Sequence, residues 1–320
     1  MAPQLSVIVP TYNRREILLK TLEAYKRQTA ADEMLEVIVV DDGSTDGTGE
    51  AVAQAALSSP FPIRLLRQDN RGLATARNLG IRSAKGELIL FGDDDIIPTP
   101  TFVAEHAAWH RKYPAPSVAI LGHVAWSPDV NPTPFMEWLG RDGVLFGFGH
   151  LSPGSEVEFA VFCNTSVKKS FLLEHGMFDE DFRGYGWEDV ELGYRLMKKG
   201  FRLLYNSDAI GHHYKHMSFA DVCRRAELVC AASALLETKE AGRHMKERES
   251  RGEALSWKRK LKRAVAKLVA PFLVPLTPLL DTQIRLPREV YQTLYMYHVL
   301  PKAQARFNSS KPQHEHAKGI

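Results

Sequence analysis

Three consecutive carboxylates, Asp93, Asp94 and Asp95, follow a short apolar run at residues 88–91. A run of this length predicts a strand buried on both faces, and open α/β sheets bind ligands at the carboxyl ends of their strands. Adjacent acids repel one another, and a divalent cation such as Mn²⁺ or Mg²⁺ would neutralise them through the oxygen ligands that it prefers. The triplet therefore indicates a metal site at a strand end, with an acidic surface turn as the other interpretation.

The stretch before the triplet alternates between apolar runs and segments with helical spacing. Apolar runs at 5–9, 37–40 and 63–66 are each followed by such a segment, and the order is β-α-β-α-β-α-β. This order predicts an α/β fold with a Rossmann-like, mostly parallel sheet flanked by helices. The second strand ends in Asp41 and Asp42. Two acidic strand ends are therefore expected at one edge of the sheet.

The segment after the first strand lacks the glycines of a dinucleotide-binding fold. Pro10, Thr11, Tyr12 and Asn13 stand there instead, and the chain has no GxxxxGK[ST] phosphate loop. A nucleotide bound at this edge would be held by side chains and a metal rather than by a glycine cradle.

The second half predicts further strands around a long connection. Residues 118–124, 158–163 and 201–205 have the pattern of strands, and residues 187–197 that of a helix. Residues 127–154 are rich in Pro, Gly and aromatic residues, which predicts a long, partly mobile loop. Such loops are usually functional, so we expect this one to take part in substrate choice. The alternative is that its aromatic residues form a small core beneath it.

Composition limits the class of protein. With 320 residues, 44% of them hydrophobic and 25% charged, the chain can form one large α/β domain with an extension, or two small domains. The folded body offers no basic, aromatic-bearing surface for nucleic acid. Three cysteines without metal-ligand spacing indicate a reduced, cytoplasmic compartment. We find no signal peptide and no run of about 18 apolar residues that would span a membrane.

The basic part of the chain is its tail. Lys and Arg gather between Arg243 and Arg263, and residues 257–269 begin cationic and continue apolar. Residues 271–280 are apolar but are interrupted by three prolines, which exclude a spanning helix. We expect residues 257–280 to bind an anionic membrane surface peripherally, on the inner face of the cell membrane. The alternative is packing on the catalytic body or on a second subunit.

Five segments together resemble family-2 glycosyltransferases of the GT-A fold. They occur in that family's order and at its spacing between residue 5 and about residue 216. The segments are LSVIVPTYNR, VIVVDDGSTDGT, NRGLATARNLGI, LILFGDDDIIP and FDEDFRGYGWEDVELGYRL. The resemblance implies a catalytic domain over residues 1–216, divided into a nucleotide-sugar half (1–125) and an acceptor and catalytic half (126–216). Residues 217–320 would form a helical C-terminal extension with a disordered end.

The resemblance also implies an activity: transfer of a sugar, with inversion, from a nucleotide-diphosphate-sugar to an acceptor hydroxyl. The acceptor would be a glycan, a lipid-linked molecule or a small molecule, and a homodimer is left open. The donor would be bound at the positions that match the family's motifs, which are Pro10, Thr11, Tyr12, Arg14, Asp41, Asp42, Asn70, Gly72, Arg77, Asp93 and Asp94. Asp42, or else Asp41, would bond the base, and Arg77 would flank the nucleotide.

By the same resemblance, Asp95 would ligate Mn²⁺ or Mg²⁺ at the diphosphate, Asp93 would contact the ribose or the metal, and His212 or His213 would add a ligand. The chemistry agrees, because a divalent ion stabilises the charge that builds on the leaving diphosphate. The attacking hydroxyl must also lose a proton to a base. Asp189 is the matching residue, with its neighbour Glu188 as the alternative.

Two other functions remain open at this stage. A sugar-phosphate nucleotidyltransferase would share the α/β layout and the acidic site, but it needs a glycine-rich basic loop after the first strand. A non-catalytic nucleotide-sugar-binding scaffold would have no need of the full set of acids.

Overall fold

The structure, a computed structural model, describes residues 4–29, 35–141, 145–157, 161–248 and 268–309. The strands are β1 Leu5–Thr11, β2 Leu35–Asp41, β3 Ile63–Arg67, β4 Leu88–Phe91, β5 Ile96–Pro98, β6 Val118–Trp126, β7 Thr165–Lys168 and β8 Arg202–His213. The helices are α1 Arg15–Tyr25, α2 Thr48–Leu57, α3 Leu73–Ser83, α4 Phe102–Lys112, α5 Pro134–Arg141, α6 Lys169–His175, α7 Glu188–Met197, α8 Phe219–Thr238, α9 Glu240–Arg248 and α10 Arg288–Ser309. Short 3₁₀ helices lie at Pro128–Val130 and Val274–Asp281.

In the described residues the strands form one eight-stranded sheet in the order β3-β2-β1-β4-β7-β6-β8-β5. β1 pairs in parallel with β2 and β4, β2 with β3, and β6 with β8, whereas β7 and β5 run antiparallel to their neighbours. The carboxyl ends of β1, β2, β4, β6 and β8 therefore share one edge of the sheet. The predicted α/β class with a mostly parallel sheet is confirmed.

Helices cover both faces of the sheet, which explains why its central strands are continuous apolar runs. Every residue of β1, β2 and β4 is buried. Ile8 and Phe91 belong to the core on the side of α3, α6 and α7. Val7 and Leu90 belong to the core on the side of α1, α2 and α4. Because the strands are held on both faces, the polar residues that follow them are fixed at the shared edge.

Part of the connection over residues 127–154 is helical, where its composition predicts a long loop. Among its described residues, Pro134–Arg141 form helix α5, which begins at a proline as helices often do. Phe135 and Trp138 are buried, and their rings stack with centroids 5.8 Å apart. The alternative, a small aromatic core, is the correct interpretation.

The strand predicted at 158–163 is also wrong, as far as it is described. Residues 158–160 lie outside the described residues, and 161–163 have no strand structure. The strand in this region is β7, which begins at Thr165 and pairs antiparallel with β4 and β6. It therefore lies between the two parallel parts of the sheet.

The chain divides into two compact units, Met1–Arg183 with Glu188–His216, and Gly184–Trp187 with Met217–Ile320. The second unit is helical where it is described, and α8 begins with a capping box in which Ser218 and Asp221 exchange hydrogen bonds. None of the described helices is long and apolar enough to cross a membrane. Of the predicted membrane-binding segment, residues 257–267 lie outside the described residues, as does the chain end after residue 309.

Candidate active site

Arg14 forms ion pairs with two carboxylates of the acid triplet. Its Nη1 lies 2.6 Å from Asp94 Oδ1 and its Nη2 lies 2.7 Å from Asp95 Oδ2. The Thr11 hydroxyl donates to Asp94 Oδ2 at 2.8 Å. Since β1 and β4 are parallel neighbours, the residues that follow them meet. Arg14, a cation of the protein itself, thus compensates part of the negative charge of the triplet.

The environments of Asp94 and Asp95 set their pKa values apart. Burial raises the pKa of Asp94 to about 7, although the Arg14 charge opposes this effect. Burial also acts against ionisation of Asp95, but the charges of His213 and Arg14 outweigh it and lower the pKa of that carboxyl. Asp95 is therefore the stronger anion of the two and the better ligand for a cation.

His213 is the histidine that the structure brings to Asp95. Its Nε2 lies 3.6 Å from Asp95 Oδ2, and its ring packs against Trp126 and Phe146 at centroid distances of 5.2 and 5.1 Å. His212 is the preceding residue of β8, and successive side chains of a strand point to opposite faces. Of the two predicted histidine ligands, His213 therefore lies beside the triplet and His212 on the other face of the sheet.

The donor set fits a divalent ion only in part. Among the described residues no group of three His, Cys, Asp or Glu side chains is placed to hold a metal ion. Mg²⁺ at nucleotides, however, is commonly held by one or two carboxylates together with the phosphates of the ligand. Asp95 and His213 supply that smaller number of ligands, whereas the Asp93 carboxylate contacts Arg77.

Arg77 links the triplet to the first turn of α7. Its Nη2 lies 3.3 Å from Asp93 Oδ1 and its Nη1 lies 3.3 Å from Glu188 Oε1. Burial, and then the neighbouring charge of Asp189, raise the pKa of Glu188 to about 7, while Arg77 opposes the shift. Glu188, one of the two carboxylates predicted as the base, is thus joined through Arg77 to Asp93 on the predicted donor side.

Asp42 organises the loop between β3 and α3. Its Oδ1 accepts hydrogen bonds from Gln68 Nε2 at 2.7 Å and from Arg71 N at 2.9 Å, and its Oδ2 accepts one from Gly72 N at 2.9 Å. Asp41 is fully buried, and its Oδ1 accepts from Ser44 N at 2.8 Å. Both acids therefore shape the loops that border the site. The Asp42 carboxylate also retains acceptor capacity for a hydrogen bond from a nucleobase.

The other predicted donor residues lie around the same edge. Pro10 is in the buried end of β1, whereas Tyr12 just beyond it is 46% exposed. Asn70 is exposed next to Gly72. Gly72 has φ +93°, and a Cβ there would lie 2.8 Å from the carbonyl oxygen of Arg183, so this turn requires glycine. The structure thus brings the predicted set together, apart from His212.

Sequence reasoning missed two contacts of the site. The Cys163 thiol hydrogen-bonds the Asp93 carboxylate, and burial raises the pKa of the thiol. The Phe178 ring lies over Arg77, 5.3 Å from the guanidinium carbon to the ring centroid. Phe178 begins one of the five segments that carry the resemblance, but its contact with Arg77 has no local signal, and the same holds for Cys163 and Asp93, because each contact joins distant segments.

Comparison with known proteins gives the following matches. A family model described as glycosyl transferase family 2 matches residues 6–175. Validoxylamine A glucosyltransferase of Streptomyces hygroscopicus subsp. limoneus is 34% identical over 239 residues, which cover 67% of this chain and 52% of that protein. The chain thus spans about half the length of this curated relative.

Two solved structures share the fold. One is the mannosyltransferase PcManGT from Pyrobaculum calidifontis in complex with GDP-Man and Mn²⁺, with a TM-score of 0.56, 22% identity and coverage of 100% of this chain and 77% of that one. The other is S. aureus TarS 1-349 in complex with UDP-GlcNAc, with a TM-score of 0.51, 17% identity and coverage of 96% and 90%. The predicted GT-A fold is confirmed.

Proposed function

Because this chain belongs to glycosyl transferase family 2, we propose that it transfers a sugar from a nucleotide-diphosphate-sugar to an acceptor hydroxyl, with inversion at the anomeric carbon. The observation that carries the proposal is the meeting of the acid triplet, Arg77 and the α7 carboxylates at one edge of the sheet. This arrangement supports the proposal, because displacement of a diphosphate requires a cation-binding group on one side of the sugar and a base on the other.

Asp95 and His213 would hold Mn²⁺ or Mg²⁺ in this proposal, and the diphosphate would supply further oxygen ligands. When bound, the ion would supply charge stabilisation to the leaving diphosphate as a Lewis acid. The short distance between the two side chains supports this role, since Asp95 Oδ2 lies 3.6 Å from His213 Nε2. The PcManGT structure is a complex with Mn²⁺, which favours the same ion here.

The nucleoside would lie over the carboxyl ends of β1 and β2. Tyr12 is exposed there and offers a ring for stacking, while Asp42 holds the neighbouring loop and offers a carboxylate to the base. The two structural neighbours are complexes with GDP-Man and with UDP-GlcNAc, so the fold accommodates either base.

Asp189 would act as the base that receives the proton of the acceptor hydroxyl. It is partly exposed in the first turn of α7, whereas Glu188 is buried against Arg77. A partly exposed carboxylate can reach an acceptor, and a buried, paired one cannot do so without breaking its contact. The acceptor itself would be a glycan, a lipid-linked molecule or a small molecule.

Nucleotide binding tests the proposal directly. Isothermal titration calorimetry with UDP and with GDP, each with and without Mn²⁺, should show metal-dependent binding of at least one of them. Asp95→Asn should lose the metal-dependent part while keeping the fold. Asp208→Asn, an exposed acid on β8, is the matched control. Wild-type affinity in Asp95→Asn with Mn²⁺ present would exclude Asp95 as a ligand.

We also propose that the second unit binds a membrane surface peripherally. Leu268 and Phe272 are 74% and 81% exposed, next to the basic segment of residues 257–267. Exposed apolar side chains beside Lys and Arg are typical of segments that lie at the headgroup boundary. Binding of the full chain to anionic vesicles, reduced in the Leu268→Ser/Phe272→Ser variant, is expected in co-sedimentation. Equal recovery of both proteins in the supernatant would contradict it.

A further inference from the structure

Arg77 lies buried between carboxylates from two distant elements. Only 4% of Arg77 and 6% of Glu188 is exposed. The guanidinium contacts Asp93 Oδ1 and Glu188 Oε1, each at 3.3 Å, and the Phe178 ring covers it. A planar guanidinium can contact two acceptors at once, which a lysine ammonium at a single point does less well. Arg77 therefore joins the end of β4 to the first turn of α7.

The strength of the two Arg77 contacts does not explain why this arginine lies between Asp93 and Glu188. Both contacts are longer than the 2.7–2.9 Å that is usual for strong charge-assisted hydrogen bonds. Among the described residues, the buried Arg77 Nε and Glu188 Oε2 atoms have no hydrogen-bond partner. Because desolvation offsets most of the attraction in a buried ion pair, such a pair adds little net stability. The effect of the two Arg77 contacts is to fix the positions of the Asp93 and Glu188 carboxylates relative to each other.

The rest of α7 is secured by a different arginine. Arg195 contacts Glu191 Oε1 at 2.7 Å, and its Nη2 donates to the carbonyl oxygen of Met177 at 2.7 Å. These contacts hold the second half of the helix. The Arg77 contact with Glu188 is a separate attachment, at the turn that carries Asp189.

We propose that Arg77 is a positioning residue: it fixes Glu188, and with it the first turn of α7, relative to Asp93, so that Asp189 faces the donor. The inference rests on the proposed function and differs from the expectation that Arg77 flanks the nucleotide, because a residue with 4% exposure has little surface for a ligand. Removing the bridge should disturb the alignment of the base and leave donor binding intact.

Arg77→Lys in the full chain tests this role, since it keeps the charge but cannot span both carboxylates. The control is Arg82→Lys, on the same helix and 47% exposed at its side chain. With whichever of UDP-glucose, UDP-GlcNAc or GDP-mannose the wild type uses in Mn²⁺, kcat of Arg77→Lys should fall about 100-fold, because misplacement by about 1 Å costs that much. The donor KM and the affinity for the free nucleotide should stay within about twofold.

Hydrogen exchange provides a readout that does not need activity. Amides 192–195 of α7 should exchange at least about tenfold faster in Arg77→Lys than in wild type and in Arg82→Lys, with α3 unchanged. Unchanged exchange in α7 would overturn the positioning role of Arg77, whether or not any donor is turned over. A failure of wild type to turn over any donor would by itself refute only the proposed function. Wild-type kcat, or a loss of nucleotide affinity that parallels the loss of kcat, would also overturn it.

Discussion

Replacing Glu188 by Gln should remove a loss of stability that wild type shows as the pH rises from 5 to 8. Burial raises the pKa of Glu188 to about 7 from its ordinary value of 4.5. The folded protein therefore holds this proton more tightly than the unfolded chain does. The stability that comes from the protonated carboxyl is fully present below pH 4.5 and is lost as the pH rises through 7.

The size of the effect follows from the same values. Raising a pKa from 4.5 to about 7 corresponds to about 3 kcal/mol at 1.36 kcal/mol per unit of pKa. Between pH 5 and pH 8, wild type should lose about 2 to 3 kcal/mol that Glu188→Gln retains. The change of stability with pH is more informative than the stability at one pH, because Glu188→Gln also alters the contact with Arg77 and so shifts the absolute stability.

Urea unfolding at pH 5, 6, 7 and 8 measures this difference for wild type and for Glu188→Gln. Glu174→Gln is the matched control, since its carboxylate is 73% exposed and should not change the pH dependence. Identical pH profiles for wild type and Glu188→Gln would refute the reasoning. Such a result would mean that Arg77 keeps Glu188 ionised with an ordinary pKa.

Three further predictions concern the supports of the site. Burial lowers the pKa of His106 to about 4. The stability that comes from the neutral imidazole is therefore present above pH 6.5 and should be lost as the pH falls toward 4. Urea unfolding of wild type should show a loss of about 3 kcal/mol over this range, and His106→Gln should not show it. Gly72→Ala should destabilise the protein more than Gly200→Ala in the same assay. Both glycines have positive φ, but a Cβ at Gly72 would meet the backbone of Arg183, whereas one at Gly200 would lie in open space. Gly200→Ala should therefore lower the free energy of unfolding by only about 1 to 2 kcal/mol. Asp42→Asn should lower nucleotide affinity about tenfold in calorimetry, since its amide group would face a backbone N–H.

The architecture was predictable where the local pattern is strong. β1, β2 and β4 are buried on both faces, so their apolar runs identify them as strands. β5 has three residues and β7 has four, which is too short for a periodic pattern to appear, and each forms by antiparallel pairing with a distant strand. The aromatic residues of α5 were misread because composition does not distinguish an exposed aromatic ring from one buried beneath a loop.

The location of the candidate site at the strand ends was predictable, and the contacts between its residues were less so. Asp93, Asp94 and Asp95 are evident as an acidic strand end, but their neutralisation by Arg14 depends on the pairing of β1 with β4. The contact between Arg77 and Glu188 joins residues 111 positions apart, and such a pair has no local signature. Family resemblance identified which residues gather, and tertiary packing decides which of them touch.

Release of the nucleoside diphosphate from a donor panel tests the central claim most directly. With UDP-glucose, UDP-GlcNAc and GDP-mannose in Mn²⁺, and water as the acceptor of the sugar, wild type should slowly hydrolyse at least one donor to UDP or GDP, and chelation of the metal should stop the reaction. Asp189→Asn should bind that donor normally in calorimetry and release at least about 100-fold less product. No release from any donor by wild type, or wild-type release by Asp189→Asn, would contradict the account.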